Sequence, residues 1–218
     1  MVLRDVEKAF GEHEVLKGFS LEVTEGEILC LLGGSGSGKS VTLKIVNGLL
    51  RPDAGEVWVC GREIGSGDAE ALAEVRARLG MNFQSDALLK GLTVFENVAL
   101  PLRETTDLEE SEIAERVRAR LELLGVAEAA EKLPEELSGG MRKRVGLARA
   151  VVRQDEVQLV LYDEPTAGLD PISKDSVHQM IDELRELELT QIVVTHDLET
   201  VRQLADRVGV LHEGSSPP

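Results

Sequence analysis

The sequence predicts one α/β domain, a parallel-sheet core carrying an N-terminal antiparallel β subdomain and an inserted helical subdomain. Three observations predict it. The apolar run Ile28 to Leu32 passes directly into a Gly/Ser-rich loop and then into a helical pattern. Apolar strand-like runs recur at Val157 to Tyr162 and Gln191 to Thr195, each followed by a helical stretch, which is the alternation of a parallel sheet. Between about Ser85 and Val145 that alternation is broken by consecutive helical patterns. The expected division is a core of residues 1–84 and 146–218 around a helical insert of 85–145. A length of 218 residues suits one large domain.

Residues Val2 to Val23 read as short strands around a turn at Gly11-Glu12, with Gly18 as further punctuation. Phe10 sits at the edge of that turn. Alone it reads as a core anchor; with the downstream loop it reads as a face on which a base can stack. The loop is Gly33-Gly34-Ser35-Gly36-Ser37-Gly38-Lys39-Ser40, followed by Val41, Leu43, Ile45 and Val46 at helical spacing. A flexible linker would have neither the buried strand before it nor the apolar helix after it. Glycines let the backbone point successive N–H groups inward, and the helix adds unsatisfied donors and its positive dipole end. Lys39 would reach terminal phosphates, and the Ser40 hydroxyl would hold a magnesium ion.

Pro52-Asp53-Ala54-Gly55 is a turn, Glu56 to Val59 a returning strand, and Ala69 to Leu79 a helix by composition. Met81 to Gln84 reads as a short strand ending in an amide. Gln84 is ordinary alone and gains interest from its place at a strand end. In the insert, Leu92 to Val98 forms a short helix that Pro101 stops. Ile113, Val117, Leu121 and Leu124 recur at helical spacing until Gly125. Ser138-Gly139-Gly140-Met141 then opens a basic helix with Arg142, Lys143 and Arg144. The serine is an N-cap, and an N-cap beside glycine amides also offers the parts of an anion site.

The strand Val157 to Tyr162 runs into Asp163-Glu164-Pro165. Carboxylates at the C-terminal end of a strand in an open α/β sheet fall where ligands bind. Asp163 would orient hydrated magnesium, and Glu164 would take a proton from an attacking water. Gly168-Leu169-Asp170-Pro171 makes a turn, Ser173 to Leu187 a helix, and Gln191 to Thr195 the next strand. His196 ends that strand, and its placement there points to a γ-phosphate contact.

The bulk numbers exclude other classes. A formal charge of −16 argues against a nucleic-acid binder. Hydrophobic residues make 42% of the chain and aromatics only 3%, so aliphatic side chains must fill the core. Cys30 and Cys60 are far apart and lack metal-site spacing, so they read as reduced thiols. No apolar run approaches the length of a membrane span, and no signal segment opens the chain. The expectation is a soluble, cytoplasmic protein that reaches a membrane only through another chain.

Together these motifs resemble the nucleotide-binding subunit of ATP-binding cassette (ABC) transporters over nearly the whole chain. The resemblance implies the ABC ATPase fold with a P-loop NTPase (RecA-like) core, an ATPase activity, and ATP with Mg2+ as cofactors. Residue by residue it implies Phe10 as the adenine-stacking aromatic and Gly33 to Ser40, with Val41, as Walker A. Gln84 heads the Q-loop that senses magnesium and the membrane partner. Leu137 to Met141 is the signature, Asp163 and Glu164 complete Walker B, Ala167 to Asp170 is the D-loop, and His196 is the switch histidine. It also implies a homodimer in which Ser138, Gly139 and Gly140 of one copy cover phosphates held by Walker A of the other, docked on integral-membrane permease subunits.

Met141 in the signature, the stretch Met-Arg-Lys-Arg-Val-Gly-Leu-Ala-Arg-Ala and Asn-Phe-Gln-Ser-Asp-Ala-Leu look like the ATPase of Mla/Mce-type systems. That implies phospholipid transport between bacterial membranes, with a lipid-binding Mce-type protein and a small regulatory subunit as further partners. The alternatives are a small-solute importer, a lipoprotein-release ATPase or a cell-division-type non-transport ATPase. Two departures from the pattern stand out. The stretch Val151 to Gln158 is long and lacks a proline before Walker B. The chain also stops soon after its last core strand, so a regulatory tail is expected to be missing or very short.

Overall fold

The computed structural model describes residues 1–82, 87–153 and 157–215. Two sheets carry it. In the first, β1 (Val2–Phe10) and β2 (His13–Glu22) form a hairpin, and β4 (Ala54–Val59) and β5 (Arg62–Glu63) extend it in the order β2-β1-β4-β5. All its pairings are antiparallel. In the second, β3 (Ile28–Leu32), β6 (Leu79–Asn82), β7 (Leu159–Asp163), β8 (Thr190–Thr195) and β9 (Arg207–Val210) lie in the order β6-β7-β8-β3-β9. All four pairings are parallel.

Parallel strands are covered on both faces, so they read as continuous apolar runs rather than alternations. Their period of two nevertheless sorts the side chains into two cores. Leu29, Leu31, Leu159, Leu161, Ile192 and Val194 pack toward the antiparallel sheet, with Leu3, Val6, Leu16, Phe19 and Val57. Helix α1 (Lys39–Val46) adds Leu43, Ile45 and Val46 to that layer, and α2 (Ala69–Ala77) adds Val75. Cys30, Val160, Tyr162 and Val193 face the other way, into the helices. These are α3 (Val94–Thr105), α4 (Glu110–Leu123), α5 (Gly139–Val151), α6 (Pro171–Glu183) and α7 (Leu198–Leu204).

Several expectations shift. Gly18 does not interrupt the hairpin; it lies inside β2 at φ 74°, where the register gains one residue between the Lys8–Leu16 and Val6–Phe19 pairs. That is a bulge, which glycine forms without a Cβ clash. Pro101 does not stop its helix. Buried Val94, Val98, Ala99 and Leu102 hold α3 to the core through the proline, and Thr93 with Glu96 forms a capping box at its start. Packing outweighs the lost backbone bond. Leu79 belongs to β6, not to the preceding helix. Residues 184–187 continue α6 as a 3-10 turn. Gly125, at φ 62°, ends α4 as expected. Helix α5 runs unbroken through residues 145 and 146.

Cys30 is buried and Cys60 half-buried, both free, and burial pushes the Cys30 thiol up to about 12. Among the described residues no helix is long and apolar enough to cross a membrane.

Candidate functional site

The register of the parallel sheet builds the site. Leu32 pairs with Thr195, and Asp163 pairs with Val194, so β3, β7 and β8 end side by side. The residues just past those three ends are therefore brought together: the Gly33 loop, Glu164 and His196. β8 lies between the other two and puts the histidine in the middle.

Past β3 the chain turns into α1 through Gly38, whose φ is 108° and which offers no side-chain cap. The first N–H groups of the helix are left for a ligand. A Cβ at Gly33 would stand 2.5 Å from Ser37 Oγ and 2.6 Å from the Leu211 carbonyl oxygen. At Gly38 it would meet Leu16 at 2.8 Å. The loop thus closes only without side chains at those two points. Ser37 Oγ is buried and has no partner. Lys39, itself buried, lies back across the loop and donates to the Gly33 and Gly34 carbonyls at 2.7 and 2.9 Å.

Gly36 to Val41 share a cleft of about 350 Å³ with Phe10, His13 and Val15. Phe10 is 49% exposed, which excludes the core-anchor role and leaves a ring face available beside the loop. The Lys8 ammonium stands 5.7 Å from that ring. His13, opposite Phe10 in the hairpin, and Val15 were missed by sequence reasoning; their alternation along β2 was the available signal.

Ser40 Oγ donates to Asp163 Oδ1 at 3.1 Å. A hydroxyl and a carboxylate side by side are oxygen donors of the kind magnesium takes, with phosphates and water completing the shell. Burial raises the Asp163 carboxyl above its usual range, the Ser40 bond opposes this, and the adjacent Glu164 charge adds to it. A cation there would relieve the last. An orphaned serine hydroxyl, an uncapped helix start, two glycines that tolerate no Cβ and this oxygen pair together fit a magnesium-nucleotide.

Glu164 stands in the left-handed region at φ 50°. His196 Nδ1 lies 2.9 Å from Glu164 Oε2, so Nδ1–H donates to the carboxylate and Nε2 is left facing outward. Lys39 Nζ is 3.7 Å from the other carboxylate oxygen. Glu164 and His196 also line a cleft of about 410 Å³ with Thr166, Lys174 and Asp197. Gln84 lies outside the described residues.

Ser138, Gly139 and Gly140 line neither cleft. Ser138 caps α5 by accepting from Met141 N at 3.2 Å. The glycines face Leu169 and Ser173, beside Asp170, which caps α6 and accepts from Ser173 N at 3.1 Å. The structure therefore groups Ser138 to Gly140 with the Asp170 turn.

A family model described as ABC transporter matches residues 16–167. The chain belongs to the ABC transporter family. It has the ABC ATPase fold, and the nucleotide and ion of that family are ATP and Mg2+. The methionine import ATP-binding protein MetN of Brucella abortus (strain 2308) is 42% identical over 97% of this chain and 57% of its own length. A probable ribonucleotide transport ATP-binding protein, mkl, of Mycobacterium leprae (strain TN) is 40% identical over 96% of the chain and 60% of its own. The chain thus spans little more than half of the curated relatives it matches. Among solved structures, the dimeric bacterial cassette MJ0796 superposes with a TM-score of 0.89 at 32% identity, covering 100% of this chain and 96% of that one. A post-hydrolysis dimer of MJ0796, bound to ADP and Pi, superposes at 0.88, again at 32% identity over 100% and 96% of the two chains. None of these proteins is named for the lipid cargo expected from the Met141 region.

Proposed function

We propose that this chain is the ATP-hydrolysing subunit of a small-solute import system, working as two copies on a membrane-embedded permease from the cytoplasmic side. The observation that carries the hydrolytic part is the convergence of Lys39, Glu164 and His196 at three adjacent strand ends, with Glu164 at 3.7 Å from Lys39 and 2.9 Å from His196.

In this reading Phe10 stacks on adenine, and the amides of Gly33 to Lys39 hold the phosphates. Lys39 exchanges its two carbonyl partners for phosphate oxygens. Ser40 and Asp163, with Gln84, hold the magnesium ion, which supplies charge neutralisation on the phosphates when bound. Glu164 orients a water and takes its proton, and His196 presents Nε2 toward the terminal phosphate. Such chemistry is mostly positioning and charge stabilisation. Ser138, Gly139, Gly140 and Asp170 lie outside both clefts, so they act on the nucleotide of a second copy. ATP then favours the closed pair and hydrolysis releases it. Core residues 1–84 and 146–218 bear the nucleotide, and the helical insert 85–145 bears the permease contact.

Small-solute import is supported by the transport roles for which the relatives are named. A phospholipid cargo, with an Mce-type lipid binder and a regulatory subunit, is the second reading, supported by the Met141 to Ala150 stretch. Reconstitution with the permease in proteoliposomes separates them: small-solute uptake driven by ATP supports the first, and ATP-driven lipid extraction replaces it with the second. Absence of phosphate release from MgATP by the purified chain and its permease overturns both.

A further inference from the structure

Helix α6 buries a histidine that the chemistry above does not use. His178 is 5% exposed, and its Nε2 lies 2.9 Å from Thr200 Oγ1 on α7. Thr200 Oγ1 lies 3.0 Å from Thr166 Oγ1. Both threonines are buried as well. The three residues form an unbroken polar chain through an apolar layer, and one end of it is in the turn that carries Glu164.

That turn needs support. Glu164 holds a left-handed backbone, which a non-glycine residue keeps only where its surroundings over-determine it. Its N–H donates to the Val194 carbonyl at 2.9 Å, and its own carbonyl accepts from Ala167 N at 3.1 Å. Those bonds tie the backbone to β8 and close the turn. Thr166 adds a side-chain tie to the helices, through Thr200 and His178.

We propose that His178 and Thr200 are positioning residues: a buried hydrogen-bonded strut that fixes the Glu164–Ala167 turn to α6 and α7 and so aims the Glu164 carboxylate. The proposal rests on the reading of Glu164 as the base. A buried chain of hydrogen bonds favours one geometry, because each broken link strands a further polar group away from water.

The protonation state is set by the remaining ring nitrogen. His178 Nδ1 is buried without a partner. A charged ring would strand an N–H there, whereas the neutral ring with its proton on Nε2 strands only a lone pair. Nε2–H then donates to Thr200, whose hydroxyl donates to Thr166. The charged groups bearing on the ring are Lys174 and Asp175 on its own helix, and Asp197 and Glu199 at the start of α7. Asp182 shares the small cleft beside it. Because Asp170 caps α6, the strut also joins the turn expected to meet a second copy with the one that carries the base.

The test is steady-state hydrolysis of MgATP by the full chain carrying Thr200→Val. The expected result is a fall in kcat of about tenfold, with the KM for ATP and nucleotide affinity changed by less than about twofold. Thr200→Ser, which keeps the hydroxyl, returns kcat to within about twofold of wild type. His178→Phe falls as Thr200→Val does, and the double variant falls no further, because both cut one strut. An unchanged kcat in Thr200→Val, a serine variant as slow as the valine, or additive losses in the double variant overturns the strut. If Thr200→Val does not fold, Thr200→Ala and His178→Gln read the same kcat and KM split. Glu164→Gln is assayed alongside: if it hydrolyses at the wild-type rate, the base assignment fails and the strut fails with it. If it is inactive while Thr200→Val is fully active, the strut alone is refuted.

Discussion

Gly33→Ala adds one methyl group where the loop has no room for it. The new carbon would stand 2.5 Å from Ser37 Oγ and 2.6 Å from the Leu211 carbonyl oxygen. Ordinary contact begins near 3.4 Å, so gaps of nearly an ångström must open on two sides. Ser37 can rotate away, but Leu211 O is main chain just past β9, and Leu211 N donates to Leu32 O at 2.8 Å in the same place. Relief therefore has to come from the loop itself. Overpacking of this kind costs about 1–3 kcal/mol, which lowers Tm by about 2–12 °C in a chain of this size. Gly34 is the matched control. A Cβ there meets nothing within 4 Å and its φ lies outside the left-handed region, so Gly34→Ala should leave Tm within about 1 °C. Differential scanning calorimetry of both variants, with titration of a fluorescent ATP analogue, reads the two effects together. Gly33→Ala should lose nucleotide affinity by at least about tenfold as the amides move. If the two variants melt alike and bind alike, the close approach at Gly33 does not shape this loop.

The signature helix and the buried histidine each give a further test. Ser138→Arg should abolish hydrolysis while the monomer binds ATP as before, with a loss of about 1 kcal/mol from the missing α5 cap; loss of nucleotide binding by the isolated monomer would contradict action on a second copy. Burial holds the His178 ring below its ordinary value of 6.5. Its folded value is depressed, so its contribution is complete above 6.5 and is lost as pH falls through the folded value. Thermal melts from about pH 7 to 5 should therefore fall more steeply for wild type than for His178→Gln, and parallel curves would refute a buried neutral ring.

Much of this architecture was legible because its signals are local. The parallel strands announce themselves as apolar runs. The loop declares itself through its glycines, and Gly125 and Ser138 mark helix ends through their own backbone chemistry. Asp170, read as part of a turn before a helix at Ser173, proves instead to be the cap of a helix that starts at Pro171. The features that escaped sequence reasoning depend on distant partners. Pro101 continues its helix because the stripe of Val94, Val98 and Leu102 finds a core to pack on, and nothing at position 101 reports that core. Gly18 makes a bulge only because β1 lies opposite. Thr166, His178 and Thr200 have no shared motif and meet only after α6 and α7 fold back on the sheet. In contrast, Ser40 and Asp163 are 123 residues apart, yet both stood out in the sequence, because each follows or ends its own recognisable strand, and the structure places their side chains in contact.

The central claim is that Glu164 takes the proton of the attacking water. Its most direct test is a comparison of Glu164→Gln with wild type by phosphate release from MgATP and by sedimentation in ATP. Turnover should fall by about 10²–10⁴-fold, the size of a general-base contribution, while ATP stays bound and a two-copy species accumulates. Undiminished phosphate release by Glu164→Gln would contradict it.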